Sequence, residues 1–216
     1  MDVVIVAASF VLTYCVARWF GVPGPGPCAI LCSLAVSSWR LRCSGLRWAD
    51  IGLRMPDSRV RALLWVAALY VASVLIKVLV IDPLATAAGW PSLNLSRFSQ
   101  LPGNTSLLAG YLLLVWASAA FGEELVFRGF LLTRLEILLG SGLTATATAV
   151  TGQALLFGVA HWYLGLRGVS TAALIGLAYG VVYVCNARNL APLIVAHGLT
   201  DSLSLIAIYS GIARLT

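Results

Sequence analysis

The stretch SLLAGYLLLVWASAAFGEELVFRGFLL, residues 106–132, joins an apolar run to a group of charged side chains. No charged residue precedes Glu123 in it, and Glu124 and Arg128 then follow closely. The stretch has the length that a membrane-spanning helix needs, roughly 20 residues. An ionisable group at the centre of such a helix costs about 2.5 to 3.5 kcal/mol on insertion scales. We therefore expect these three side chains to contact one another or to face a water-filled cavity within a membrane.

The composition of the whole chain is that of an integral membrane protein. Of its 216 residues, 60% are hydrophobic and 10% are charged, and the mean hydropathy is +0.95; about a quarter of the residues of a soluble domain are charged. The apolar runs predict an all-α, polytopic transmembrane helix bundle of about seven spans. Little of the chain is left over, so we expect a single integral membrane domain over residues 1–216. The predicted spans lie near residues 3–20, 22–39, 62–81, 106–128, 145–163, 170–185 and 191–210.

The net charge of +6 is unevenly distributed. Residues 40–61, between the second and third predicted spans, hold the densest group of arginines, and the positive-inside rule places this loop in the cytoplasm. Counting spans from it places the N-terminus, Arg134 and Arg188 inside, and residues 94–106 and the C-terminus outside. We expect a multi-pass protein of a bacterial or archaeal cytoplasmic membrane, whose basic loop contacts the anionic headgroups of the lipid bilayer and no nucleic acid.

Ionisable residues within the predicted spans are concentrated in the second half of the chain. The two histidines among them, His161 and His197, are the only ones in the protein. Phe157 lies four residues before His161, which would place an aromatic ring beneath the imidazole on one helix face. The whole set is Glu123, Glu124, Arg128, His161, His197 and Asp201.

Helical spacing predicts which of these groups touch. Glu124 and Arg128 are four residues apart, as are His197 and Asp201, so each pair shares one side of its helix. Glu123 is rotated by about 100° from Glu124 and stays free to reach another helix. One carboxylate is therefore expected to be neutralised within its helix, while its neighbour is available elsewhere.

Each pattern also has an explanation that involves no chemistry. The Glu124 and Arg128 pair could only stabilise the end of a helix. His161 is followed by Trp and Tyr, which is typical of an aromatic belt at a membrane interface. His197 and Asp201 could form a simple pair that holds the start of the last helix.

Taken in order, the three groups resemble a known family. The chain reads Glu123-Glu124-Leu-Val-Phe-Arg128, then Phe157-Gly-Val-Ala-His161, then His197-Gly-Leu-Thr-Asp201. These segments are similar to the motifs EExxxR, FxxxH and HxxxN or HxxxD of the CPBP membrane proteases, also called the ABI or type II CAAX prenyl protease family. The resemblance implies that residues 106–210 are the catalytic core helices, preceded in residues 1–105 by N-terminal spans and the arginine-rich loop.

The resemblance implies an intramembrane glutamic endopeptidase that cleaves a membrane-associated peptide or protein and needs no cofactor. Glu123 and His161 would hold and deprotonate the attacking water, and His197 with Asp201 would stabilise the oxyanion. The supporting residues would be Glu124, Arg128 and Phe157.

Two features complicate this transfer. Asp201 stands where better-studied members have Asn, and an ionised carboxylate cannot donate a hydrogen bond to an oxyanion, so we expect it to orient His197. The division into spans also places His161 near the outer end of its span, away from Glu123. If residues 129–147 partly continue the fourth helix and then lie at the interface, the fifth span starts later and His161 moves inward.

Other functions stay open. In a zinc-dependent variant of the protease, Glu123, His161 and His197 would ligate the metal and leave one position for water. A non-catalytic immunity or scaffold protein would keep the fold and use the polar cavity to hold a peptide. A proton-coupled transporter also uses intramembrane carboxylates and histidines, but the chain shows no repeated halves.

Overall fold

The computed structural model of the chain describes residues 1–212, which form seven long helices joined by loops and turns, without a β-strand among them. The predicted all-α fold is confirmed. Residues 213–216, at the end of the predicted domain, lie outside the described part. Short 3₁₀ turns lie at Trp48–Ile51, Ser96–Phe98 and Trp162–Leu164. The helices are α1 (Asp2–Trp19), α2 (Pro25–Cys43), α3 (Arg59–Ala87), α4 (Thr105–Leu139), α5 (Leu143–Ala160), α6 (Gly165–Cys185) and α7 (Ala191–Tyr209).

Six of these helices are long and apolar enough to cross a membrane, namely α1, α3, α4, α5, α6 and α7. Helix α2 also has 19 residues, but its serines and two terminal arginines make it less apolar. Many leucines and valines are exposed along the outside of the bundle, as a surface facing lipid requires. The chain is therefore an integral, multi-pass membrane protein, close to the predicted seven spans.

Helix α4 is longer than predicted. We expected the span to end at residue 128, but the helix continues to Leu139. The charge of Arg128 does not end it, because Glu124 neutralises that charge one turn earlier in the same helix. Its section Val115–Leu132 has wide π-type turns, which are rare and often occur at functional sites.

The turn after α4 corrects the expectation for the fifth span. The fourth helix does continue past residue 128, but α5 begins early, at Leu143, rather than late. Gly140 and Gly142 make this short turn possible with φ angles of +93° and +108°, which favour glycine. The fifth helix ends at Ala160, so this route does not move His161 inward.

The loops group at the two ends of the bundle as predicted. At the first end, which we call the arginine-rich end, Asp2 pairs with Arg40 at 2.6 Å and with Arg134 at 3.3 Å. Arg188 pairs with Glu136 at the same end. The loop of residues 44–58 also lies there, because Arg54 Nη2 donates to the carbonyl of Ala187.

The opposite end, which we call the cavity end, collects the other connections. Arg167 pairs there with Asp82, joining the start of α6 to the end of α3. The amide of Gly103 donates to the carbonyl of Tyr209, and the amide of Asn94 to the carbonyl of Leu164. Residues 94–106 and the end of α7 therefore lie opposite the arginine-rich end.

Helix α4 occupies the middle of the bundle. It contacts α2 on one side and α7 on the other, and it also packs against α5 and α6. Two apolar clusters meet on it, one shared with α1, α2, α5 and α6 and the other with α3, α5, α6 and α7. The polar residues of α4 are consequently presented to helices from both halves of the chain.

Candidate active site within the bundle

The pair predicted on α4 forms inside the protein. Arg128 Nη1 donates to Glu124 Oε1 at 2.9 Å, and both side chains are fully buried. The bond leaves Glu124 Oε2 and two nitrogens of Arg128 without a hydrogen-bond partner among the described residues. A buried ion pair with unfilled capacity is costly, so it is weak evidence for a purely stabilising role.

Helix α7 brings His197 to this pair. His197 Nδ1 lies 2.8 Å from Glu124 Oε1, the oxygen that also accepts from Arg128. On the other side of the ring, Nε2 lies 3.6 Å from Asp201 Oδ2 and 4.0 Å from Glu123 Oε2. One imidazole therefore stands among three carboxylates, two from α4 and one from its own helix.

The predicted proximity of His197 and Asp201 is present, and Glu123 does reach another helix. The bond between His197 and Glu124 was not predicted, because it depends on how α4 packs against α7 rather than on spacing within either helix. Glu124 is therefore not reserved for Arg128 but links it to His197.

Phe157 of α5 lies between the three motifs. The Arg128 guanidinium carbon is 4.2 Å from the centre of its ring, within the range of a cation–π contact. The His161 ring lies 4.7 Å away and the His197 ring 6.3 Å away, measured between centroids. The ring predicted beneath the imidazole is present, and it also covers the buried arginine.

His161 follows the last residue of α5, toward the cavity end. Its Nδ1 lies 2.8 Å from the carbonyl oxygen of Phe157. A carbonyl only accepts, so Nδ1 carries the hydrogen and Nε2 of a neutral ring has a free lone pair. That nitrogen can accept a hydrogen bond or a proton from a ligand.

A cavity of about 760 Å³ connects these groups. Its wall includes all four residues predicted to be catalytic, Glu123, His161, His197 and Asp201, so the structure places them around one space. The wall continues over residues 93–98 to the cavity end. The supporting residues Glu124, Arg128 and Phe157 line the same cavity.

Some residues of the cavity wall were missed by the sequence analysis. Tyr179 of α6 is 2% exposed, and its ring lies 6.1 Å from that of His197. Arg97, in a loop, donates to the Tyr163 hydroxyl at 3.0 Å and stacks on that ring at 4.1 Å. Tyr179 lies in GLAYG, whose glycines indicate helix packing but give no signal for the tyrosine between them.

Glycines let the helices that carry the site approach closely. A Cβ atom at Gly198, next to His197, would lie 2.7 Å from the ring of Trp116 on α4. A Cβ atom at Gly122, next to Glu123, would lie 2.6 Å from Ile30 on α2. The positions of both functional side chains thus depend on a neighbour without a side chain.

The residue types at the site include possible metal ligands. Glu123, His161 and His197 are the residues that a zinc-dependent variant would use, since carboxylate and imidazole are common zinc ligands. Within residues 1–212, however, no group of three His, Cys, Asp or Glu side chains has a geometry that could hold a metal ion.

The fold and the cavity define a polytopic membrane protein with a polar, titratable site inside its helix bundle. Residues 105–203 match the model of the family described as Type II CAAX prenyl endopeptidase Rce1-like. The family resemblance found from the three motifs is thereby confirmed, since all three lie within the matched residues, and this segment of the chain is similar to the Rce1-like family. The family is one of membrane proteases, which act on proteins or peptides at the membrane. No curated protein and no solved structure matches the chain.

Proposed function

We propose that this protein is an intramembrane glutamic-type endopeptidase that hydrolyses a peptide bond in a membrane-associated peptide or protein. One observation carries the proposal: His197 lies within 4.0 Å of Glu123, Glu124 and Asp201, in a cavity that His161 also lines. The Rce1-like segment, which contains all of these residues, supports the same class of reaction.

Glu123 is the general base of the proposed reaction. Its side chain lines the cavity and is 16% exposed, and its Oε2 has no hydrogen-bond partner among the described residues, so the carboxylate can bind a water molecule. The water oxygen bonds to the scissile carbonyl carbon, the carbonyl π electrons move to its oxygen, and the water proton passes to Glu123. The free Nε2 of His161 accepts the second hydrogen bond of the water and so fixes its direction.

The tetrahedral intermediate then collapses. The carbon–nitrogen bond breaks, and the proton held by Glu123 passes to the leaving amine. Before that step, His197 stabilises the negative oxygen, while Asp201 orients the imidazole from 3.6 Å. Glu124 and Arg128 fix the other side of that ring, and the reaction uses no cofactor.

We also propose that the arginine-rich end lies in the cytoplasm, with the N-terminus inside. The arginines of residues 40–61 support this orientation through the positive-inside rule. The cavity end then faces the outer side of the membrane. The native Cys43 is exposed near the arginine-rich end, and a cysteine introduced at Ser96 would mark the opposite end. In intact cells a membrane-impermeant maleimide should label S96C and spare Cys43; the reverse pattern would overturn the orientation.

The experiment that tests the activity compares the Glu123→Gln variant with the wild type. Membrane proteins of cells producing each form are compared by mapping their N- and C-termini with mass spectrometry. Purified protein in lipid vesicles is then assayed on a fluorogenic peptide built on a mapped site. Loss of a general base lowers the rate by about 100- to 10,000-fold, so we expect the wild-type termini to be absent from the variant.

Glu136→Gln is the matched control. Glu136 lies on the same helix and also pairs with an arginine, but it is at the arginine-rich end and does not line the cavity. This variant should produce the wild-type termini. If the membrane proteins of cells producing the wild type and Glu123→Gln have identical termini, the proposed activity is contradicted and a non-catalytic immunity or scaffold role is favoured.

The zinc-dependent variant of the protease makes a separate prediction. If Glu123, His161 and His197 held zinc, dialysis against a strong chelator would abolish cleavage and added zinc would restore it. We expect the purified protein to keep its activity after this treatment.

A further inference from the structure

The proposed oxyanion site is short of hydrogen-bond donors. His197 Nδ1 faces Glu124 Oε1 at 2.8 Å, so its hydrogen belongs to that bond. Nε2 then carries a hydrogen only when the ring holds both protons, and Nε2 faces Asp201 and Glu123 as competing acceptors. An ionised Asp201 has no hydrogen to donate. Two donors commonly share an oxyanion, which indicates that another group contributes.

The serine and threonine hydroxyls of the cavity wall are already engaged. Each donates its hydrogen to an oxygen of its own helix or loop, at 2.7 to 2.9 Å. The Tyr111 hydroxyl, also on the cavity wall, donates to the carbonyl of Arg97 at 3.1 Å. The unpaired nitrogens of Arg128 belong to a side chain with no exposed surface, which the Phe157 ring covers at 4.2 Å. The engaged hydroxyls are those of Ser73, Ser96, Ser118, Thr171, Thr200 and Ser204.

Tyr179 is different from these groups. It reaches the cavity from α6, with its ring 6.1 Å from the His197 ring and 5.4 Å from the Arg128 guanidinium carbon. Its hydroxyl lies beside those of Ser73 and Thr200. Both of these already donate to carbonyls of their own helices, so they can only accept a hydrogen bond from Tyr179. A ligand oxygen can replace them as the acceptor. The phenol is thus a donor on the cavity wall beside His197 whose hydrogen no backbone carbonyl accepts within residues 1–212.

We propose that Tyr179 is a further catalytic residue, whose phenolic O–H donates a hydrogen bond to the oxyanion formed at the scissile carbonyl. The proposal rests on the proposed endopeptidase activity. The phenol keeps its proton throughout: it donates a hydrogen bond as the carbonyl oxygen gains its electron pair, and the bond weakens again when the carbon–nitrogen bond breaks. The hydrogen bond strengthens as charge develops, so it acts on the rate constant rather than on substrate binding.

Tyr179→Phe tests this role against Tyr183→Phe. Both tyrosines lie on α6, four residues apart and almost fully buried, but the Tyr183 hydroxyl donates to the carbonyl of Ile51 at 2.9 Å, outside the cavity. In lipid vesicles, with the fluorogenic peptide described above, we expect Tyr179→Phe to lower kcat by about 100-fold and to leave KM within about twofold, as for loss of one oxyanion donor. Tyr183→Phe should keep the wild-type kcat.

Two unnatural residues at position 179 separate the hydrogen bond from packing. 4-Fluorophenylalanine fills the volume of the hydroxyl without a proton and should reproduce the loss seen with Phe. 4-Aminophenylalanine supplies an N–H donor, so its kcat should be at least about 10-fold higher than that of the 4-fluorophenylalanine protein. This comparison does not depend on whether the Phe variant folds.

Two outcomes have different meanings. A folded 4-fluorophenylalanine protein with a kcat within about threefold of the wild type would overturn the role of Tyr179 and leave the endopeptidase standing, provided that Glu123→Gln is inactive. An active Glu123→Gln variant would instead remove the proposed function, and the role of Tyr179 with it.

Discussion

Glu124 and Glu136 lie on the same helix, each bonded to one arginine, yet their surroundings are opposite. Glu136 accepts from Arg188 through both oxygens, at 2.7 and 2.8 Å, and also from the hydroxyl of Thr146. Its arginine is 40% exposed. Glu124 is fully buried, shares one oxygen between Arg128 and His197, and leaves its second oxygen without a partner.

The difference separates charges that hold helices together from charges that leave capacity for a ligand. At the arginine-rich end the bonds of Glu136 are complete and tie α4 to α5 and to the loop before α7. In the cavity, three carboxylates surround one imidazole, and Arg128 pairs with one of the three, Glu124. Buried polar groups without partners cost stability, so their presence indicates a purpose other than holding the fold.

The largest effect should come from removing the carboxylate of Glu124. In Glu124→Leu, the buried Arg128 keeps its charge but loses its ion-pair partner, since a guanidinium does not deprotonate in proteins. Breaking a buried pair from one side costs about 3 to 5 kcal/mol. The stacking of Arg128 on Phe157 recovers only part of this. The free energy of unfolding, measured by titration with sodium dodecyl sulfate from mixed micelles, checks the loss.

Glu136→Leu is the control for the loss of unfolding free energy expected in Glu124→Leu. Its arginine reaches solvent, and pairs exposed to that degree contribute about 0 to 1 kcal/mol. We expect this variant to unfold at nearly the wild-type concentration of detergent. Equal losses of unfolding free energy from the two substitutions would contradict the proposed difference between the buried Glu124 pair and the more exposed Glu136 pair.

The same contrast explains how much of the site was predictable. Contacts within one helix, Glu124 with Arg128 and His197 with Asp201, follow from a spacing of four and form as predicted. The contact between Glu124 and His197 could not be predicted, because the sequence does not state how α4 rotates against α7. The roles of the site residues stay predictions until activity is measured.

The predicted end of the fourth helix was wrong for a related reason. The apolar window ends at Arg128, so the sequence indicated a span end there. Pairing with Glu124 hides that charge, and the helix runs on to Leu139. Hydropathy treats each charge as if it were alone, whereas a membrane helix tolerates a charge that is paired inside the protein. The overall fold was predictable because most of the helices carry few charges.

A smaller effect should follow from Gly198→Ala, which tests whether close packing holds the cavity cluster. The new Cβ atom would lie 2.7 Å from the ring of Trp116, whose Nε1 donates to Ser202 at 3.2 Å and keeps the indole in place. Overpacking of this kind costs about 1 to 3 kcal/mol and pushes α7 away from α4. Because the bond between His197 and Glu124 crosses that gap, we expect the cleavage rate to fall together with the melting temperature.

Gly110→Ala provides the control on the other helix of the pair. A Cβ atom at Gly110 would meet nothing within 4 Å, so the substitution gains helix propensity worth about 1 kcal/mol and should raise the melting temperature slightly. At the arginine-rich end, α4 is tied to its neighbours by flexible side chains, which can adjust to a small shift. In the cavity, the bond to His197 depends on the α7 backbone at Gly198 lying against the Trp116 indole, which its hydrogen bond to Ser202 holds in place. If Gly198→Ala matched Gly110→Ala in both melting temperature and cleavage rate, the cluster would have to be held by its polar bonds alone.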